Sequence, residues 1–241
     1  LILLSLLGCK HVEKESFADL MAESPSIAGK LDYLSSPYVT AGNRVYMVGH
    51  QDGSFPELGW HIKGEMGGIW DHPIKLMDGF KIGFVWKDKT ESLDNATSFV
   101  NYPFANKHIF EIPDKNIEVE RWQFVPDNKE GIAIQLIIKN KGKDSQNFHI
   151  KFTGYSDLRP TWLGERTLMS DGHDHAHFVE ELGAWIMKDS LNPWVTIFGS
   201  DEVPMDHSTE SSDYSGKGTG GSLTYKIAIP GKSDQVINFT I

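Results

Sequence analysis

The sequence predicts an all-β protein, a large antiparallel β-sandwich of two sheets with a minor helix at most. Three observations carry this. Apolar and polar residues alternate with period two in about a dozen short runs, the pattern of strands with one buried face. Turn-forming residues separate the runs, as at 140–145 and 230–233. No long segment shows helical periodicity. A closed barrel is the architectural alternative, and no internal repeat of propeller or solenoid period is visible. At 241 residues the chain can bury a substantial core.

Taken in chain order, residues 1–9 are apolar, end in Leu-Leu-Gly-Cys and contain the chain's one Cys. This run resembles the end of a bacterial lipoprotein signal peptide. It is too short to span a bilayer, which takes about 20 apolar residues. The resemblance implies that residues 1–8 are a signal remnant and that Cys9 becomes an acylated N-terminus. The protein would then sit in the cell envelope, touching membrane only through its lipid. Lys10 follows where an inner-membrane retention signal would be Asp, which points to the outer membrane. The alternative is a buried strand or helix that happens to end in Cys; a single Cys forms no internal disulfide. Residues 9–30 are polar at the start, with Lys10, Glu13, Lys14 and Glu15, and read as a tether carrying a short helix over 17–21.

Residues 31–241 read as the sandwich domain. Its strands are expected over 44–48, 81–86, 98–101, 107–112 and 117–125, the last bounded by Pro113 and Pro126. The clearest pair follows. Ile132, Ile134, Leu136 and Ile138 share one face of 131–139; Phe148, Ile150 and Phe152 share one face of 147–153. With a turn composition between them, the two read as a hairpin. Further strands are expected over 184–188 and 194–198. Residues 208–221, rich in Ser and Gly, read as a solvated loop. Leu223, Tyr225, Ile227 and Ile229 then alternate before a turn into a last strand, 236–241. With no initiator Met and a strand pattern running to Ile241, the chain reads as a fragment cut at both ends, with a natural C-terminus at Ile241 as the alternative.

A net charge of -10 argues against nucleic acid, which needs a basic footprint, and against a polybasic membrane patch. Seven Trp, seven Tyr and thirteen Phe supply both core residues and faces on which sugar rings can stack.

Three segments could carry chemistry. The span 49–80 is Gly-rich and interleaves Trp60, Trp70, His50, His61, His72, Glu65, Asp71, Lys75 and Asp78. Long loops of this content are commonly functional. Aromatic faces would stack on a sugar while acids, His and Lys bond its hydroxyls. The bland alternative is that the tryptophans cover the open end of the sandwich and the charges face water. Around Trp162, Asp157 and Arg159 share a strand face and can pair, and Glu165 lies nearby. A structural salt bridge at the sheet's end is the favoured reading there, with a domain interface second. Finally, His173, His175 and His177 would share one face of a strand. Two His at that spacing can chelate Zn²⁺ or Cu²⁺, a weak candidate because the further ligand is not visible.

The span Gly49 to Phe80, the run Glu120-Arg121-Trp122-Gln123-Phe124-Val125-Pro126 and the run Tyr155 to Glu165 resemble the N-terminal domain of bacterial glycogen-debranching-like glycoside hydrolases. These are secreted or lipid-anchored proteins, many from Bacteroidetes, that pair a β-supersandwich with a C-terminal (α/α)6 barrel. The resemblance implies that paired carboxylates of that barrel cleave glycosidic bonds, and the helices of such a barrel are not in this sequence. It therefore implies a non-catalytic sandwich that supports its own C-terminal catalytic domain, binds oligosaccharide or polysaccharide, and needs no cofactor. Trp60, His61, Glu65, Trp70, Asp71, His72 and Lys75 would contribute to the sugar pocket, Trp60 and Trp70 by stacking and Glu65, Asp71 and Lys75 by bonding hydroxyls or bracing the loop. Two other classes stay open: a stand-alone carbohydrate-binding lipoprotein, and a metal-dependent enzyme built on the histidines.

Overall fold

The computed structural model describes residues 16–241, except His61, Asp88 and the side chain of Glu165. In chain order the strands are β1 (Ile27–Ala28), β2 (Pro37–Ala41), β3 (Val45–His50), β4 (Gly68–Asp71), β5 (Ile74–Val85), β6 (Thr90–Ser92), β7 (Ser98–Asn101), β8 (Ala105–Ile112) and β9 (Ile117–Phe124). They continue as β10 (Ala133–Asn140), β11 (Gln146–Pro160), β12 (Asp174–Val179), β13 (Ala184–Asp189), β14 (Val195–Ser200), β15 (Asp206–Glu210), β16 (Gly220–Ile229) and β17 (Asp234–Thr240). Two short α-helices, α1 (Phe17–Leu20) and α2 (Trp162–Arg166), complete the regular structure of the described residues with two 3₁₀ turns.

The strands form two antiparallel sheets. One has nine strands in the order β1-β7-β8-β9-β10-β17-β14-β13-β12. The other has eight, in the order β15-β16-β11-β5-β4-β3-β2 with β6 added against β5. The inner faces meet in one core that includes Met47, Phe80, Ile82, Phe84 and Phe152 from one sheet and Phe110, Val119, Ile134, Leu136 and Phe239 from the other. Phe152 stacks on Phe239 across the gap, ring centroids 4.4 Å apart. The all-β sandwich expected from sequence is the fold observed.

The expected hairpin is instead an arch. β10 pairs with β9 and β17, whereas β11 pairs with β5 and β16, so the turn after Asn140 carries the chain from one sheet to the other. The turn between β16 and β17 does the same. Hairpin and arch both place one apolar face inward, so period-two alternation cannot distinguish them. Here Ile134 and Phe152 enter the core from opposite sheets instead of lying side by side. Asn140 ties the two arches together. Its side-chain amide donates to the carbonyls of Asp144 (2.8 Å), Pro230 (3.0 Å) and Ile229 (3.3 Å), and its own N–H donates to Ser233 O (2.9 Å).

Other expectations shift. The described part of the 9–30 tether packs on the domain. Phe17 N donates to Gln135 Oε1 at 2.8 Å, Met21 is buried, and β1 pairs with β7. The 208–221 stretch contains the end of β15 and the start of β16. β15 is an edge strand exposed along most of its length, so it carries no apolar alternation to betray it. The 49–80 span likewise contains β4 and the first half of β5.

Candidate functional site

The outer face of the eight-stranded sheet is not open to water where β3, β4, β5 and β11 run together. The segment 55–66, helix α2 and the segment 211–219 cover it. The second half of β11, from Phe152 to Pro160, is therefore buried on both faces although it carries Asp157 and Arg159. Buried charges must be paired, and here they are.

Lys75 is 1% exposed and points into a group of acids. Its Nζ lies 2.8 Å from Glu65 Oε2, 2.5 Å from Asp78 Oδ1 and 3.6 Å from Asp157 Oδ2. Arg159 Nη1 approaches Glu65 Oε1 at 3.1 Å and Asp157 Oδ2 at 4.0 Å. All five side chains are buried, and three acids face two cations. The imbalance shows in their protonation. Burial pushes the Asp157 carboxyl up to about 8; Lys75 pulls against this, while Asp78 and Glu65 reinforce it. Burial also raises Asp78 to about 6, opposed by Lys75. Burial alone would lower the Lys75 ammonium, but Asp78, Asp157 and Glu65 outweigh it and hold its pKa above the ordinary value. Glu65, Asp78 and Asp157 bring carboxylate oxygens within 4.8 Å of one another. The ammonium of Lys75 is already their counter-ion, so the centre does not present a cation cage.

The 211–219 segment seals this cluster. Tyr214 Oη donates to Phe55 O at 2.8 Å, and Ser215 N donates to Glu57 Oε1 at 2.6 Å. Gly216 adopts φ +104° directly over the carboxylates. A Cβ there would stand 2.8 Å from Asp157 Oδ1 and 3.3 Å from Glu65 Oε1, so the position requires glycine on both counts.

Beside the cluster lies a pocket of about 210 Å³ lined by Tyr46, Ile62, Glu65, Met66, Trp70, His72, Thr161 and Trp162. Strand pairing builds its aromatic wall. Tyr46 on β3 is the cross-strand partner of Trp70 on β4. Their rings are parallel within 3° at 6.4 Å, and His72 lies within 26° of both planes. Tyr46 Oη and His72 Nε2 are 2.7 Å apart, and Trp70 Nε1 donates to Gly67 O at 2.9 Å, so the wall is fixed. Partial burial raises the Tyr46 phenol to about 12. Met66 and Trp162 remain 47% and 45% exposed at the mouth. Glu65 belongs to both structures: it lines the pocket and is gripped from behind by Lys75 and Arg159.

Of the residues expected to bind sugar, Glu65, Trp70 and His72 meet in this pocket. Lys75 does not reach it; it braces Glu65 from within. Asp71 sits in the β3–β4–β5 ladder, outside the lining. Trp60 is 79% exposed on the covering segment and is not among the lining residues. His61 and Cys9 lie outside the described residues. His173, His175 and His177 are exposed at the far edge of the other sheet, the last two on β12, and join no cluster of three ligating groups among the described residues. Sequence reading missed Tyr46, Ile62, Met66 and Thr161. Trp162 and the Asp157–Arg159 pair were singled out, but not as neighbours of Glu65.

No family model and no curated protein matches the chain. Solved structures do resemble it in fold. A candidate kojibiose phosphorylase from the human microbiome superposes with TM-score 0.57 at 8% identity, over 89% of this chain and 31% of that one. The chain thus spans about a third of that protein. A candidate aldose 1-epimerase from Escherichia coli K12 gives TM-score 0.57 at 10% identity, over 85% of this chain and 97% of that one. At these identities the likeness is one of fold.

Proposed function

We propose that this is a non-catalytic sandwich domain of a lipid-anchored carbohydrate-active enzyme, of glycoside-hydrolase type, and that its aromatic pocket holds one sugar ring. The observation that carries the reading is the pocket itself. Three near-parallel rings offer an apolar wall to the C–H face of a pyranose, Trp162 stands at the mouth, and Glu65 waits as a fixed hydroxyl acceptor. At about 210 Å³ the pocket lies below the ~300–1,000 Å³ typical for drug-sized ligands, which suits a single ring better than a chain. The fold likeness to part of a longer phosphorylase supports a domain that works beside another one. The acylated Cys9 and the outer-membrane location belong to the same proposal and rest on the sequence run that ends there.

A second reading has its own support. The chain matches almost the whole of the candidate epimerase, so a sandwich of this size also occurs as a complete unit. A stand-alone sugar-binding or sugar-converting lipoprotein is then the alternative, and polarimetry on freshly dissolved glucose would reveal such conversion.

Tryptophan fluorescence during titration with glucose and kojibiose tests the pocket. Saturable quenching is expected. An unchanged signal, together with no heat of binding, would overturn the proposal.

A further inference from the structure

Resting on the proposed sugar site, we infer that ligand binding in the pocket is linked to a proton held by Asp157 beside Glu65, so that a bound sugar hydroxyl displaces this proton and affinity rises with pH. The geometry is that of one acceptor with a buried acid on one side and the pocket on the other. Glu65 is held by Lys75 at Oε2 and by Arg159 at Oε1, and a carboxylate oxygen of Asp157 lies within 4.8 Å of its own. The same Glu65 lines the pocket. A hydroxyl arriving there donates to a carboxylate whose buried neighbour is the Asp157 carboxyl. Loss of that proton strengthens Glu65 as an acceptor; a donor from the ligand compensates the repulsion that the loss creates.

Room for a proton exists. Asp157 Oδ2 and Asp78 Oδ2 lie buried without a hydrogen-bond partner among the described residues. The charged and titratable groups facing the pair come from every side. Lys75 and Asp78 belong to β5, Arg159 to β11, Glu57 to the covering segment and Tyr214 to the 211–219 segment. Asp174 reaches the neighbouring Ser156 Oγ at 2.7 Å, and His72 and Tyr46 stand in the pocket wall. With two cations and three acids, a single proton makes the cluster neutral. Burial already biases that proton toward Asp157, which is held near 8.

The test is calorimetric titration of the intact protein with kojibiose from pH 6 to pH 9.5, repeated in two buffers of different ionisation heat. Affinity is expected to rise with pH by at most tenfold per unit, levelling above about pH 8, with release of up to one proton per sugar bound. Asp157→Asn supplies a permanent donor to Glu65. It should bind with the weaker affinity of the low-pH wild type, independent of pH. His72→Gln should retain the slope. Binding that is flat or weakens with pH, or a slope lost in His72→Gln and kept in Asp157→Asn, would overturn the linkage and leave the sugar site standing. Absence of binding at every pH would remove both. The wild-type proton count needs no variant, so misfolding of either substitution leaves the linkage testable.

Discussion

Replacing Lys75 by Met removes the counter-ion of three buried carboxylates while keeping most of the side-chain volume. Breaking a buried pair by removing one partner costs ~3–5 kcal/mol, because the remaining charge is left without compensation. Lys75 is at the severe end: it is 1% exposed, touches Glu65 and Asp78 at 2.8 and 2.5 Å, and leaves only Arg159 against three acids. For a domain of this size ~3–5 kcal/mol corresponds to a fall in Tm of roughly 6–20 °C. The loss must also depend on pH. Without the ammonium, the buried carboxyls hold their protons in the folded state to still higher pH, while in the unfolded chain they ionise near 4. The folded variant therefore binds more protons than the unfolded chain, and its stability falls as pH rises through that interval. Urea denaturation at pH 5 and pH 8 reads both effects. The deficit against wild type should be largest at pH 8 and shrink at pH 5. A deficit under ~1 kcal/mol at pH 8, or one equal at both pH values, would show that the cluster is not the coupled, buried unit described.

Two further outcomes are expected. Asn140→Ala strips hydrogen bonds from the carbonyls of Asp144, Ile229 and Pro230 where the arches meet. Leaving such buried groups unpaired should cost ~1–3 kcal/mol in denaturant unfolding, and an effect within ~0.5 kcal/mol, the range of an ordinary surface substitution, would refute the clamp. Cys9→Ser in the full precursor should move the protein from the membrane fraction to the soluble one; unchanged membrane partition would remove the lipid anchor.

The strands were largely legible because each buries one face of a period-two pattern, as Ile134, Leu136 and Ile138 do. Their partners were not. Phe148, Ile150 and Phe152 show the same alternation whether they lie beside those residues or across the core from them. The site was legible in composition and obscure in arrangement. Trp70, His72 and Glu65 stood out within one Gly-rich span. Tyr46 did not, because it occupies the outer face of a strand, where a single aromatic looks like surface; only its register with Trp70 makes it a wall. Lys75 read as a hydroxyl donor or a loop brace, a choice left open because sequence gives no sign that segments 55–66 and 211–219 fold down over that face. Once they do, water is excluded and the lysine becomes the counter-ion that holds Glu65 in place.

The central claim is that the pocket between Trp162 and the Tyr46–Trp70–His72 wall holds a sugar ring. Comparing kojibiose affinity in wild type and Trp162→Ala tests it most directly, because Trp162 is 45% exposed and its loss leaves the core intact. An aromatic contact worth ~0.5–1.5 kcal/mol predicts a roughly 2- to 13-fold weaker affinity with unchanged thermal stability. Equal affinity in the two proteins would contradict it.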